Sequence, residues 1–286
     1  MGINRRNFFK AIGLTGAALA AGKPVNASSS EKNDVEFYGV LYDSTLCVAC
    51  QQCEHSCAEI NSLPEPEGAP EAGIVRKTSD RAATVVNFYN TSKGEVPVKK
   101  QCMHCNEPAC GTACLTKAMY KTKEGPAIWR EDKCMGCRYC MISCPFDIPK
   151  FQYQSTYPKI IKCTMCYDKI KDGGIPECVE NCPAEALVFG TRKELLMEAK
   201  RRILEEPDRY YDHVYGEYEA GGTGWLYLSP VPFEELGFNT GIQNSSYPAL
   251  TKGFISSIAP VDILLPLLLL GIHEATKSVN NKNDRE

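Results

Sequence analysis

"CMGCRYCMISCP" occupies Cys134–Pro145. Its cysteines, Cys134, Cys137, Cys140 and Cys144, follow one another at intervals of three, three and four residues, and Pro145 comes directly after the last. Three chemistries bring thiols this close. Disulfides suit an even cysteine count in an exported chain. Zinc takes two Cys-x-x-Cys pairs into a tetrahedral site. A [4Fe–4S] cube takes one thiolate on each of four irons. The spacing separates them. Zinc leaves the third cysteine of the run without a role, and disulfides would have to form among crowded thiols. A Cys-x-x-Cys-x-x-Cys loop wraps three corners of a cube and leaves the fourth to a ligand from elsewhere. In two-cluster proteins that ligand comes from the other motif. Cys144 is therefore expected on a different cube from the one held by Cys134, Cys137 and Cys140. Pro145 turns the chain away after the ligand.

The same unit recurs outward from this stretch. "CVACQQCEHSC" supplies Cys47, Cys50, Cys53 and Cys57, and "CMHCNEPACGTAC" supplies Cys102, Cys105, Cys110 and Cys114. "CTMCYDKIKDGGIPECVENC" supplies Cys163, Cys166, Cys178 and Cys182. The four groups use all 16 cysteines of the 286-residue chain, so four [4Fe–4S] clusters are expected. Pro183 repeats the proline signal, whereas Cys57 and Cys114 lack it. His55 and His104 lie inside cysteine groups and are read as exposed or hydrogen-bonding residues, not ligands. Trp129 and the tyrosines are assigned to packing.

The net charge of −3 and the lack of a long basic run exclude a nucleic-acid footprint. There is no dinucleotide glycine motif, no nucleophile–base constellation and no cysteine pair outside the four groups. The chain therefore reads as non-catalytic, a carrier of electrons and not an enzyme.

Around the cysteine block the expected organisation is as follows. Residues 1–27 hold Arg5, Arg6, Phe8 and Lys10 before a short apolar run and "VNA", which resembles a twin-arginine signal peptide, with Asn4 where Ser or Thr is usual. Residues 36–205 form the cluster-bearing domain. Within it, "NSLPEPEGAPEAG" reads as a surface loop, and "AATVVNFYNTSKGEVPVKK" as a hairpin turning at Ser92–Gly94. "AMYKTKEGPAIWRED" reads as a second hairpin, around Glu124–Gly125. "ALVFG" is a strand, and a capping box of Thr191 with Glu194 opens a helix. Residues 206–250 read as an irregular extension of unassigned role. Residues 254–272 are apolar and, as a helix, about 28 Å long, roughly one hydrocarbon core, so they are expected to anchor the chain despite Asp262.

"LYDSTLCVACQQC", "KKQCMHCNEPAC", "GCRYCMISCPFDIPKF", "PECVENCPAEALVFGTRKEL" and "YGEYEAGGTGWLYL" together resemble the four-cluster ferredoxin-like subunits of bacterial membrane-bound respiratory oxidoreductases. In particular they resemble the ferredoxin-like subunit of Hyb-type uptake nickel–iron hydrogenases, with the β subunit of respiratory formate dehydrogenase as a near relative. The resemblance covers about residues 41–236. It implies an α+β, loop-rich fold of two ferredoxin-like halves with a C-terminal hydrophobic helix, built around cofactors more than around an apolar core. It also implies a crossed ligand pairing. Cys47, Cys50 and Cys53 would share a cube with Cys182; Cys163, Cys166 and Cys178 with Cys57. Cys102, Cys105 and Cys110 would share one with Cys144; Cys134, Cys137 and Cys140 with Cys114. The implied partners are a catalytic subunit (hydrogenase or molybdopterin enzyme) and an integral membrane subunit that reacts with quinone. The implied place is the periplasmic side of the cytoplasmic membrane.

Overall fold

The structure, a computed structural model, describes residues 36–283; the twin-arginine segment lies outside them. Strand β1 (Tyr38–Asp43) is buried from its second residue onward and forms the centre of the main sheet. It pairs antiparallel with β8 (Leu187–Thr191) and parallel with β9 (Trp225–Leu228). Three two-stranded ribbons complete the strands among the described residues. They are β2 (Val85–Thr91) with β3 (Gly94–Lys100), β4 (Met119–Lys121) with β5 (Ala127–Trp129), and β6 (Lys150–Phe151) with β7 (Ile160–Ile161). Both expected hairpins form. Thr91 pairs with Gly94, which leaves Ser92 and Lys93 as a two-residue turn. Lys121 pairs with Ala127 across the loop that contains Gly125 at φ +120°, a conformation open to glycine at little cost.

The helices of this part are short except one. They are α1 (Gln52–Ile60), α2 (Ala109–Thr112), α3 (Tyr139–Ile142), α4 (Tyr167–Lys171), α5 (Glu177–Glu180) and α6 (Arg192–Glu205). The capping box of α6 forms as expected, with the Thr191 hydroxyl accepting from the Glu194 N–H. One face of α6, carrying Leu195, Ala199 and Ile203, packs with Leu41, Leu226 and Leu228. The architecture is thus mixed helix and strand with small sheets and much irregular backbone.

The stretch 206–250 does more than extend the domain. It belongs to the compact unit of residues 35–250 and supplies β9. It also supplies most of an aromatic cluster: Tyr215, Trp225, Tyr227 and Phe233 are buried there beside Tyr42. Tyr227 stacks edge-on with Tyr42 at 5.5 Å. Apolar burial accordingly contributes more than a chain organised around cofactors suggested. "RYYDHVYGEYEAGG" is largely turned inward, with Tyr210, Val214, Tyr215 and Ala220 all buried.

The C-terminal helix α7 (Tyr247–Asn283) forms a second unit from Thr251 onward. Its first 28 residues, Tyr247–Glu274, are long and apolar enough to cross a membrane. Pro260 and Pro266 lie within it. Phe254, Ile263, Leu267 and Leu270 are all exposed.

Candidate iron–sulfur centres

Each cysteine group begins with the same local backbone. Two residues after the first cysteine the chain enters the left-handed region, at Ala49 (φ 53°), His104 (φ 48°), Gly136 (φ 72°) and Met165 (φ 56°). This bends the loop back over its own sulfur. The Ala49 N–H reaches Cys47 Sγ at 3.4 Å and the Met165 N–H reaches Cys163 Sγ at 3.3 Å. Successive N–H groups facing inward form a concavity suited to an anionic body. A second repeated turn follows the fourth cysteine. Lys117, Asp147 and Glu185, each three residues on, have φ of 56°, 51° and 49° and donate N–H to the carbonyls of Cys114, Cys144 and Cys182. Cys114 makes this turn without a proline. Cys57 does not make it, because it lies inside α1 and the helix continues to Ile60.

Third and fourth cysteines stand four residues apart in every group, so one helical turn separates them. In α1 these are Cys53 and Cys57; around α5 they are Cys178 and Cys182. The two helices face each other, and their cysteines divide between two cavities. One cavity is lined by Cys47, Cys50, Cys53 and Cys182. The other is lined by Cys57, Cys163, Cys166 and Cys178. The remaining sulfurs gather electrostatically in the corresponding way. Cys105 is pushed well above the ordinary thiol range, first by burial and then by negative charge on Cys102, Cys144 and Cys110. Cys140 is pushed up to about 11 by burial and by Cys134, Cys114 and Cys137.

Burial is the leading cause throughout. It raises Cys53 and Cys57 to about 12 each, with the Lys99 ammonium pulling the other way in both cases. For Cys110, also raised to about 12, the largest further cause is charge on Cys102. Cys114 differs. Burial opposes its ionisation, but hydrogen bonds from the Met119 N–H and its neighbours outweigh this and hold it below the ordinary value. Buried thiols of this kind ionise when a metal body takes the proton's place. All sixteen are free of disulfides. Among the described residues no three His, Cys, Asp or Glu side chains converge on a single ion. A four-iron cube spreads its ligands around a body larger than a single ion. Four-cysteine cavities with inward N–H groups and no sulfur–sulfur bonds fit the cube.

His104 is fully buried, and its Nδ1 accepts the Ala127 N–H at 2.9 Å. Burial and the nearby Lys162 and Lys121 ammonium groups hold it well below the usual histidine range, so it is neutral and structural. Gly224 lies directly against it, since a Cβ there would come within 3.3 Å of His104 Cβ and O. His55 is half-exposed and pairs with Glu65 at 2.8 Å. Trp129 packs beside Cys114, Cys134 and Cys140.

A family model described as a 4Fe-4S dicluster domain matches residues 96–192. The chain is 35% identical, over 331 aligned residues, to the hydrogenase-2 operon protein HybA of Escherichia coli O157:H7, covering 99% of this chain and 97% of that protein. The chain belongs to the HybA family of iron–sulfur proteins. It is also 43% identical to a protein of Nitratidesulfovibrio vulgaris, covering 96% of this chain and 77% of the other. The iron–sulfur subunit of the nitrate-inducible formate dehydrogenase of Escherichia coli K12 is 34% identical over 198 residues, 66% of each chain. This HybA-family chain is an iron–sulfur electron-transfer subunit that binds multiple [4Fe–4S] clusters.

Two residues central to the sites carry no signal in the sequence. Lys99 is 1% exposed and lines both four-cysteine cavities. Lys162 is 5% exposed and donates to the Ala127 and Cys163 carbonyls at 2.5 and 2.7 Å. In a sequence both look like ordinary surface lysines flanking cysteine groups.

Proposed function

We propose that this chain relays electrons from the catalytic subunits of an exported uptake nickel–iron hydrogenase to a quinone-linked partner in the membrane. The observation that carries the reading is the extent of likeness to HybA, 99% of this chain and 97% of that protein. The formate dehydrogenase subunit matches 66% of each chain, which makes a molybdopterin partner the second reading. Bound clusters supply one-electron carriers at closely spaced points. The protein holds the thiolates, excludes water and directs N–H groups and buried lysines at the anionic sites.

The crossed pairing is part of the proposal. Four clusters would sit on Cys47, Cys50, Cys53 and Cys182; on Cys57, Cys163, Cys166 and Cys178; on Cys102, Cys105, Cys110 and Cys144; and on Cys114, Cys134, Cys137 and Cys140. The two four-cysteine cavities support the first two sets, and the charges felt by Cys105 and Cys140 support the other two. Export by the folded-protein route rests on Arg5 and Arg6, and membrane attachment on Tyr247–Glu274. The proposed domains are a signal peptide over 1–27, the cluster-bearing part over 36–205 with its 206–250 extension, and an anchor over 254–272.

The deciding experiment is metal analysis of the complex purified anaerobically through this subunit. Nickel in the co-purified large subunit is expected, with about 16 iron and 16 sulfide per copy of this chain. Molybdenum or tungsten in place of nickel selects the second reading, and iron near eight rejects four clusters.

A further inference from the structure

Lys99 and Lys162 are fully buried, and an ammonium in a protein interior requires a compensating partner. Neither has a carboxylate partner among the described residues. Lys99 Nζ donates to Thr84 Oγ1 at 2.5 Å and Gln101 Oε1 at 3.0 Å, and lies 4.9 Å from the centre of the Trp225 ring. These are neutral groups, as are the two carbonyls that hold Lys162. The groups that face both ammoniums with negative charge are cysteines, and they come from different sites. Lys99 lines the cavity of Cys47, Cys50, Cys53 and Cys182 and also that of Cys57, Cys163, Cys166 and Cys178. Lys162 Nζ is held at the Cys163 carbonyl, and the charges it feels most are those on Cys102, Cys110 and Cys163.

We infer that Lys99 and Lys162 are positioning cations set between neighbouring clusters, each raising the reduction potential of two clusters at once. The inference rests on the crossed-pairing reading above. A cube held by four thiolates is anionic when oxidised and gains one further negative charge when it accepts an electron. A fixed cation in a low-dielectric wall stabilises the reduced form of both flanking cubes. It also screens them from each other, so an electron on one does not close the next to entry. Along the chain of sites the order is the Cys47 site, Lys99, the Cys163 site, Lys162, the Cys102 site. Lys99 thus acts on the Cys47 and Cys163 sites together, and Lys162 on the Cys163 and Cys102 sites together.

The test uses the full complex, titrated potentiometrically with dithionite as reductant and followed by electron paramagnetic resonance. Cys50→Ser and Cys166→Ser first assign the components of the two sites beside Lys99. Lys99→Met and Lys99→Gln are then compared with wild type, using whichever retains its iron. Both assigned components are expected to fall by at least 59 mV, a tenfold change in a one-electron equilibrium, while the component perturbed by Cys137→Ser stays in place. Lys99→Arg, which keeps the charge, should restore most of the shift. Lys162→Met should lower the Cys166 component together with the one perturbed by Cys105→Ser. A shift in one component only, unchanged potentials, an Arg variant as low as Met, or loss of iron in both neutral variants overturns the inference. The crossed pairing fails separately, if the serine variants do not assign distinct components for Cys50 and Cys166.

Discussion

Glu54 sits between two proposed cluster ligands, Cys53 and Cys57, and is 2% exposed. Its carboxylate grips the Arg76 guanidinium at 2.6 and 3.0 Å and accepts the Val86 N–H at 2.7 Å. Arg76 in turn donates to the Val86 carbonyl at 2.6 Å. One side chain thereby ties α1 to the loop of residues 61–84 and to the β2–β3 ribbon that carries Lys99. Glu54→Ala leaves the Arg76 charge, 19% exposed, without its partner. Removing one member of a buried pair costs about 3–5 kcal/mol. The lost Val86 hydrogen bond is part of that cost. Arg76 recovers some hydration, so the expected value is about 3 kcal/mol. With a urea dependence of about 3 kcal/mol per M, the midpoint moves down by about 1 M. The assay is anaerobic urea denaturation at fixed incubation time, read by loss of cluster absorbance and by far-ultraviolet circular dichroism. Glu54→Gln, which keeps an acceptor for Val86, should lose less. Arg76→Met combined with Glu54→Gln should cost less than the two separate changes added, because each single variant strands a buried group. A midpoint within about 0.2 M of wild type for Glu54→Ala, or strict additivity in the double variant, refutes the reasoning.

Cys57→Ser and Cys166→Ser should perturb the same paramagnetic component, and Cys50→Ser a different one; coincidence of Cys57→Ser with Cys50→Ser would mean that each group closes on its own cube. Truncation after Lys252 should release the isolated subunit from membranes into the soluble fraction, since it removes nearly all of the apolar helix; extraction of the full-length chain by alkaline carbonate would show that the segment does not span. His213 pairs with Glu219 at 2.7 Å, and that carboxylate raises the histidine above its ordinary value. The folded-state value is the higher one, so the stabilisation is complete below the unfolded value of about 6.5 and disappears as pH rises through the raised value. The stability gap between wild type and His213→Gln should therefore be wider at pH 6 than at pH 9, by chemical denaturation; a gap independent of pH would mean that the contact is not charge-dependent.

What could be read in the chain was whatever neighbours along the backbone decide. Cysteine intervals specify loops that curl around a polynuclear centre. A turn at Ser92–Gly94 joins two β-branched runs, and Thr191 with Glu194 satisfies a helix end from within four residues. The continuous apolar run up to Ile272 has no way to hide its length. The tertiary structure decided everything that needs two distant segments at once. β3 is buried at Val96, Pro97, Val98 and Lys99 in succession, because it is covered on both faces. No alternation therefore marks Lys99 as interior, and its role emerges only where α1 and α4–α5 bring eight cysteines around it. His104 read as either exposed or hydrogen-bonding, and the fold decides for burial, with Gly224, 120 positions later, packed against it. The irregular glycine- and tyrosine-rich stretch gave no periodic signal, yet β9 lies parallel to β1 within it. A parallel partner is never reached by a short turn, and its hydrogen bonds leave no trace in local sequence, so only the folded chain could place it at the core.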